Sequence, residues 1–378
     1  MTNGSASPLV ADGLDAILRG EEVPWSALDV TATALLEACV ERELSELVYQ
    51  RLTQFQRVRD WPDEVRQELA RTAHAAAATE LVRGREIASV LDVLASNGVH
   101  PILLKGVPLA YAFYDSPGSR AHADTDLLVR REQIETVRRT MTDLGYGEPP
   151  SSDGELLFCQ FQMVKQDRFG VNHAFDFHWR ISTQSVFADV LTYDELAAAT
   201  VSVSALGSHA YAAGRVHALL LACIHPVMHH RNTERLIWLY DIHLLVSRLS
   251  EAELERFAAL AIDKRVAAIC AHQLLLTRSR FHTSVPDRVM AKLARRRVAE
   301  PSAIYLRPSR RWHHELISSL RDLRRWRDRL RLLREVIVPS PRYMMEAYRV
   351  GALGLFLLPA LYVHRVVYGA WKVVLGRK

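Results

Sequence analysis

Two short stretches decide the fold of this chain: Ile102-Leu103-Leu104-Lys105-Gly106 and Asp124-Thr125-Asp126-Leu127-Leu128-Val129. Each contains an apolar run of the length that forms a buried strand. The first run leads into a short helix that ends near Tyr114, and the second is followed by a helix from about Glu132 to Leu144. Strands that alternate with helices in this way predict a small α/β unit in the middle of the chain.

A further pair of strands extends this unit. Residues 158–165 alternate, with Phe161 and Met163 on one face and glutamines on the other, which is typical of a half-buried strand. A turn at about 166–170 then predicts an antiparallel return through residues 173–180. The flanks have helical periodicity, from about Ser26 to Asn97 and again from Gly214 onward.

We therefore expect an α+β protein with a small mixed β-sheet core, flanked by N-terminal helices and a larger C-terminal helical domain. Residues 1–25 are expected to be loosely ordered. The predicted units are an N-terminal helical region at 1–97, the core at 98–213, the C-terminal helical domain at 214–340, and an apolar and basic terminal helix at 341–378.

Composition excludes several classes of protein. The 378 residues are 49% hydrophobic and carry a net charge of +5, which is typical of a globular protein and excludes disordered and collagen-like chains. The four cysteines are far apart and form no C-x-x-C pair, so we interpret them as reduced core residues. Because the N-terminus lacks a basic start followed by an apolar run, we expect no signal peptide and a cytoplasmic location.

Three aspartates are candidates for a metal site. Asp124 and Asp126 are two residues apart, so on an extended chain their side chains point to the same side. Asp176 lies on another predicted strand, between Phe175 and Phe177. If the two strands are neighbours, three carboxylates converge, and such a cluster suits Mg²⁺ or Mn²⁺ together with substrate phosphates.

Lys105-Gly106 adds a candidate phosphate site, because a lysine and free backbone N–H groups at the start of a helix attract anions. The ordered set of LKG, D-x-D-L-L-V and D-x-H-W resembles the polymerase-β-type nucleotidyltransferase superfamily. It is most similar to bacterial nucleotidyltransferase-family proteins with the same pattern, over roughly residues 103–245. The resemblance implies that Asp124, Asp126 and Asp176 hold the metals. It also implies that Lys105, Gly106 and Arg120 face the triphosphate.

The implied reaction is transfer of a nucleoside monophosphate from a nucleoside triphosphate to an acceptor, with release of pyrophosphate. Members of the resembled group are often associated with biosynthetic clusters, which implies a small-molecule or peptide acceptor more readily than a nucleic acid. Two alternatives stay open: another donor such as a sugar nucleotide, and a non-catalytic nucleotide- or nucleic-acid-binding protein. Val107 stands where the superfamily usually has serine, which favours the second alternative.

A second polar cluster follows in the helical region. His225, His229 and His230 do not form an H-E-x-x-H motif, so a zinc site is the minor interpretation, and we expect one histidine to point into the cleft. Asp241 is either a general base for the acceptor or a buried, ion-paired helix residue. His178 is either a residue that orients the metal site or a packed strand histidine.

The C-terminal segment has two unusual features. Residues 307–334 contain ten arginines and three acids, which indicates one long amphipathic helix. Its expected inward stripe is Leu316, Leu320, Leu323 and Leu330, with Trp326 and Leu333 nearby. An apolar run of 13 residues at 351–363 is shorter than the roughly 20 that span a membrane. We interpret the end of the chain as a helix packed on the domain, with peripheral membrane attachment as the alternative.

Overall fold

A computed structural model describes residues 8–54, 60–149, 159–295, 300–307, 316–317, 320–321, 325–339, 341–350 and 354–375. It has an α+β architecture in which helices surround one mixed sheet. The described helices are α1 (Pro8–Arg19), α2 (Ala32–Glu41), α3 (Ser45–Gln54), α4 (Asp63–Ser96), α5 (Gly106–Phe113), α6 (Ile134–Asp143), α7 (Ser185–Ala188), α8 (Tyr193–Ala197), α9 (Arg215–His229), α10 (Leu236–Arg248), α11 (Glu251–Asp263), α12 (Ala267–Phe281), α13 (Asp287–Ala294), α14 (Trp326–Ile337), α15 (Pro341–Ala347) and α16 (Gly354–Leu375).

The sheet has six described strands: β1 (Ile102–Leu104), β2 (Thr125–Leu128), β3 (Gln160–Gln166), β4 (Asn172–His178), β5 (Thr200–Ser202) and β6 (Tyr211–Ala213). Their order in the sheet is β3-β4-β2-β1-β6-β5. Strands β2 and β4 are parallel, as are β1 and β6, whereas β1 with β2, β3 with β4 and β5 with β6 are antiparallel. The mixed sheet and the β3–β4 hairpin confirm the prediction, but β5 and β6 were not predicted.

Both faces of the sheet are covered, because successive side chains of a strand point to opposite faces. Ile102 and Leu104 belong to a large apolar core with the N-terminal helices and α9 to α13. Leu103 and Leu127 belong to a second core with the end of α4 and with α6. The site aspartates therefore lie on strands that are held by packing on two sides. All four cysteines are buried and unbonded.

The expectation of loose order for residues 1–25 was wrong from Pro8 onward, and its first seven residues lie outside the described part of the chain. Residues from Pro8 onward form α1, and its inward face buries Val10, Leu14, Ile17 and Leu18. These residues recur at the helical spacing i, i+4, i+7 and i+8, so the packing signal was present in the sequence. Helix α1 packs against α3 and α12 and thereby ties the start of the chain to the C-terminal helices.

The prediction of one long arginine-rich helix was also wrong. The backbone of Arg325 is extended, and α14 begins only at Trp326. Trp326 and Leu330, which were expected to face inward, are 65% and 54% exposed. The expected stripe residue Leu323 lies outside the described residues, which begin again at 325. Helix α16 packs against α14 and α15. Among the helices that the structure describes, none has the length and hydropathy that crossing a membrane requires.

Candidate active site

Asp126 of β2 and Asp176 of β4 are direct register partners on adjacent parallel strands. Paired residues of neighbouring strands project from the same face of a sheet, so the two carboxylates share one surface. Both are buried, with 6% and 8% of their surface exposed. The expectation that the strand of Asp176 lies beside the strand of Asp126 is therefore confirmed.

Asp126 is held by two cationic or polar partners on the same oxygen. Its Oδ1 accepts a hydrogen bond from Lys105 Nζ at 2.6 Å and lies 2.8 Å from His178 Nε2. Burial opposes ionisation of this carboxyl, but the charge of Lys105 and the hydrogen bond from His178 outweigh it and lower its pKa. Asp126 is therefore a permanent carboxylate, and its Oδ2 is the oxygen without these two contacts.

The pKa values of the other two aspartates are raised, not lowered. Burial raises the pKa of Asp124, and the charges of Asp126 and Asp176 raise it further. Burial and repulsion by Asp126 likewise raise the pKa of Asp176, although Gln162 Nε2 donates a 2.8 Å hydrogen bond to its Oδ1. Three carboxylates thus lie close enough to repel one another, and Lys105 neutralises only part of their charge.

A metal-ligating geometry is present among the described residues, but its members differ from the expected set. One oxygen of Asp126, one oxygen of Asp176 and a ring nitrogen of His178 lie within 4.8 Å of one another. Asp124 precedes β2 and falls outside this group, although its raised pKa reports that it lies near the other two carboxylates. His178, which the sequence left open, contacts Asp126 and is 1% exposed.

The backbone at Lys105 is strained. Lys105 ends β1 and immediately precedes α5 with φ 58° and ψ −125°, a conformation that side-chain-bearing residues rarely adopt. This conformation turns the chain sharply from strand into helix, with the lysine ammonium directed to Asp126. Gly106 follows at the first turn of α5, where an added Cβ would lie 3.4 Å from Arg120 Nη1. The Arg120 guanidinium therefore lies in van der Waals range of this turn.

Arg120 and Asp241 form a buried ion pair. Arg120 Nε and Nη2 donate to the two carboxylate oxygens of Asp241 at 3.2 and 2.7 Å, and Tyr114 Oη donates to Oδ1 at 2.8 Å. Burial, and then the charge of Asp241, raise the pKa of Tyr114, so its hydroxyl remains a donor. This is the contact that the ion-pair interpretation of Asp241 requires. A role of Asp241 as a general base stays a prediction.

One cavity of about 980 Å³ lies between the sheet and helices α9 and α10. The predicted residues that it brings together are Lys105, Gly106, Arg120, Asp124, Asp126, Asp176 and Asp241.

The wall opposite the sheet is aromatic. His225, His229, His230 and Trp238 line the cavity, and the rings of His230 and Trp238 lie 4.4 Å apart. Burial and then the charge of Lys105 lower the pKa of all three histidines, to about 3 for His229. They are therefore neutral at physiological pH, whereas arginines at the ends of the same two helices bring positive charge to the cavity: Arg215, Arg235 and Arg248.

Sequence reasoning missed a buried pair beside Asp124. His122 Nε2 lies 2.9 Å from Glu80 Oε2, and Arg83 Nη1 donates to the backbone oxygen of His122 at 2.7 Å. Both Arg83 and His122 line the cavity. The position of His122 two residues before Asp124 was a signal, but Glu80 lies far away on α4, and no local pattern links the two.

The fold and this carboxylate cluster define a nucleotidyltransferase-type protein. The chain belongs to a family of uncharacterised nucleotidyltransferases, whose family model matches residues 29–298. The matched part includes the whole sheet, every residue of the cavity described above, and helices α9 to α13. A comparison with curated proteins finds no match.

Proposed function

We propose that this protein is a divalent-metal-dependent nucleotidyltransferase that moves a nucleoside monophosphate from a nucleoside triphosphate to a small-molecule or peptide acceptor. An acceptor oxygen or nitrogen bonds to the α-phosphorus, the bond from that phosphorus to the bridging oxygen breaks, and pyrophosphate leaves. The observation that carries the proposal is the in-register pair Asp126 and Asp176, buried beside Lys105 in a cavity large enough for a nucleotide.

The donor set fits Mg²⁺ or Mn²⁺. Three close carboxylates offer the oxygen ligands that these ions prefer, and the raised pKa values of Asp124 and Asp176 reflect burial first and then a mutual repulsion that a cation relieves. Lys105 already places one positive charge at this position. Asp126 and Asp176 would hold the metal, with Asp124 beside them. When bound, the ion neutralises phosphate charge and activates the attacking group.

Lys105 and the start of α5 form the proposed triphosphate site. The first N–H groups of a helix have no partner within it and carry partial positive charge, so they attract a phosphate. Gly106 leaves this turn without a side chain, and the lysine ammonium adds a full charge. We propose that Arg120 acts through Asp241 as a positioning residue that holds the loop before β2.

The acceptor would lie against α9 and α10. This wall combines the neutral rings of His225, His229 and His230 with Trp238, and it also carries Arg215, Arg235 and Arg248, so it suits a small acceptor that has an aromatic or apolar part and an anionic group.

The alternative is a nucleotide-binding protein that does not catalyse transfer. The ion pair between Lys105 and Asp126 favours it, since one oxygen of that carboxylate is already occupied by the lysine and His178. A different donor substrate, such as a sugar nucleotide, is a variant of the main proposal in which the same carboxylates hold the metal.

Pyrophosphate release tests the proposal. Purified protein would be incubated with Mg²⁺ or Mn²⁺, each of the four nucleoside triphosphates, and an extract of small molecules and peptides. We expect release that needs the extract, and we expect Asp126→Asn and Asp176→Asn to abolish it. The matched control is Asp263→Asn, which alters an exposed aspartate at the end of α11. Nucleotide binding without turnover, in several extracts and with both metals, would favour the binding protein.

A further inference from the structure

The C-terminal helix α16 presents an uncovered apolar face. Phe356, Val363 and Val367 are 86%, 63% and 62% exposed. They are spaced i, i+7 and i+11, so they form one stripe along the helix. The opposite side of α16 packs against α14 and α15. A 22-residue helix that turns its apolar face to solvent is unusual, because such faces normally mark an interaction surface.

Helix α14 has a second exposed apolar stripe, and arginines border it. Trp326, Leu330 and Ile337 recur at i, i+4 and i+11 and are 65%, 54% and 45% exposed. Arg327 and Arg334 fall beside this stripe on the helical wheel. An apolar stripe with tryptophan, bordered by arginines, is the pattern of a helix that lies in the interface of a bilayer.

The net positive charge of the C-terminal segment favours an anionic lipid surface as the partner of these two stripes. Residues 325–375 contain nine lysines and arginines and three acids. Two copies of such a segment repel each other, whereas an anionic lipid surface attracts them. No described helix can cross a membrane, so any membrane contact by the described residues is made at the surface.

We propose that α14 and α16 dock the protein on an anionic membrane surface, with their exposed apolar stripes in the headgroup region and the flanking arginines on lipid phosphates. The docking segment lies outside residues 29–298, which match the nucleotidyltransferase family. It therefore does not depend on the proposed reaction.

Vesicle flotation with the full-length protein tests this proposal. We expect the protein to float with vesicles of phosphatidylcholine and phosphatidylglycerol, to float less at high salt, and to remain behind with phosphatidylcholine alone. The triple variant Phe356→Ser/Val363→Ser/Val367→Ser should lower the fraction bound by roughly tenfold or more, because it removes apolar area that enters the interface.

Matched controls alter exposed residues outside the segment. Val40→Ser/Leu81→Ser/Phe169→Ser replaces three apolar side chains that are 66%, 68% and 66% exposed, and should bind as the unaltered protein does. Arg327→Gln/Arg334→Gln should weaken binding, whereas Arg139→Gln/Arg168→Gln should not. An unchanged thermal midpoint of each variant excludes unfolding as the cause.

Two results would overturn the proposal. One is the absence of flotation with anionic vesicles, or flotation that the triple variant leaves unchanged. The other is a change in mass by light scattering, from dimer to monomer in the triple variant, without any lipid binding. That second result would assign the face to another copy of the chain.

Discussion

Arg120 and Asp241 are joined by two parallel hydrogen bonds in a buried position, and this pair connects the loop before β2 to helix α10. Arg120 lies four residues before Asp124, and α10 forms the opposite wall of the cavity. The ion pair therefore fixes the distance between the carboxylate cluster and the helical wall. Tyr114, at the end of α5, supplies a third contact to the same carboxylate.

Breaking this pair should destabilise the protein. Asp241→Asn leaves the buried Arg120 guanidinium without its counter-charge, so we expect the free energy of unfolding to fall by about 3–5 kcal/mol. Urea denaturation measures the change. Glu68→Gln removes an exposed helical ion pair with Arg71 and should change stability little. Equal effects of the two substitutions would show that the buried pair has no special role.

The strained backbone at Lys105 predicts an unusual order of stability. Lys105→Ala and Lys105→Gly both lose the ion pair with Asp126, but only glycine adopts a positive φ without strain. We expect the glycine variant to be the more stable by about 1 kcal/mol or more in urea denaturation. At Arg139, in the middle of α6, the order should reverse because glycine is a poor helix residue. If the alanine variant were the more stable one at both positions, the backbone at Lys105 would not be strained.

The neutral histidines predict a pH dependence of stability. The pKa of His229 in the folded protein is about 3, below the ordinary value, because burial disfavours its charge. The unfolded chain therefore takes up a proton near pH 6.5 that the folded protein does not. The stabilising contribution is complete above about pH 6.5 and is lost as the pH falls toward 3, at up to about 1.4 kcal/mol per pH unit for each such histidine.

Urea denaturation at pH 7.5 and at pH 5 measures this effect. His229→Gln can still donate to the Ile181 backbone oxygen that His229 contacts, and it should lose less stability between the two pH values than the unaltered protein. The exposed His100 provides the control, since His100→Gln should leave the pH dependence unchanged. An unaltered slope in the His229 variant would contradict a neutral, buried imidazole.

Gly214 should tolerate no side chain. It directly precedes α9, and a Cβ there would lie 2.4 Å from the backbone oxygen of Ala199, which cannot move aside without shifting the chain. We expect Gly214→Ala to lower the free energy of unfolding by about 1–3 kcal/mol. Gly147→Ala, where an added Cβ has no neighbour within 4 Å, is the matched control in the same denaturation series. Similar losses at both positions would contradict the close approach.

The sheet and its carboxylates could be predicted because their signals are local. Alternation at residues 158–165 indicated β3, and the acid between Phe175 and Phe177 indicated a functional strand. Strands β5 and β6 are three residues each and are defined by pairing with each other and with β1, so no local alternation marks them.

Contacts between distant elements could not be predicted in the same way. The pairing of Glu80 with His122, and of Arg120 with Asp241, depends on how α4 and α10 pack on the sheet. Periodicity showed that the arginine-rich segment is amphipathic, but it does not say what covers the apolar stripe. The inward direction assigned to Trp326 and Leu330 was therefore wrong.

A nucleotide labelled in either its α- or its γ-phosphate shows which phosphorus the acceptor receives. Each nucleoside triphosphate would be supplied with the label in its α- or its γ-phosphate, together with Mg²⁺ and the extract, and the acceptor fraction would be counted. We expect the α-label to enter the acceptor and the γ-label to appear in pyrophosphate, and we expect Asp126→Asn to abolish both. Transfer of the γ-label to the acceptor, or no transfer of either label while the nucleotide binds, would contradict the proposed reaction.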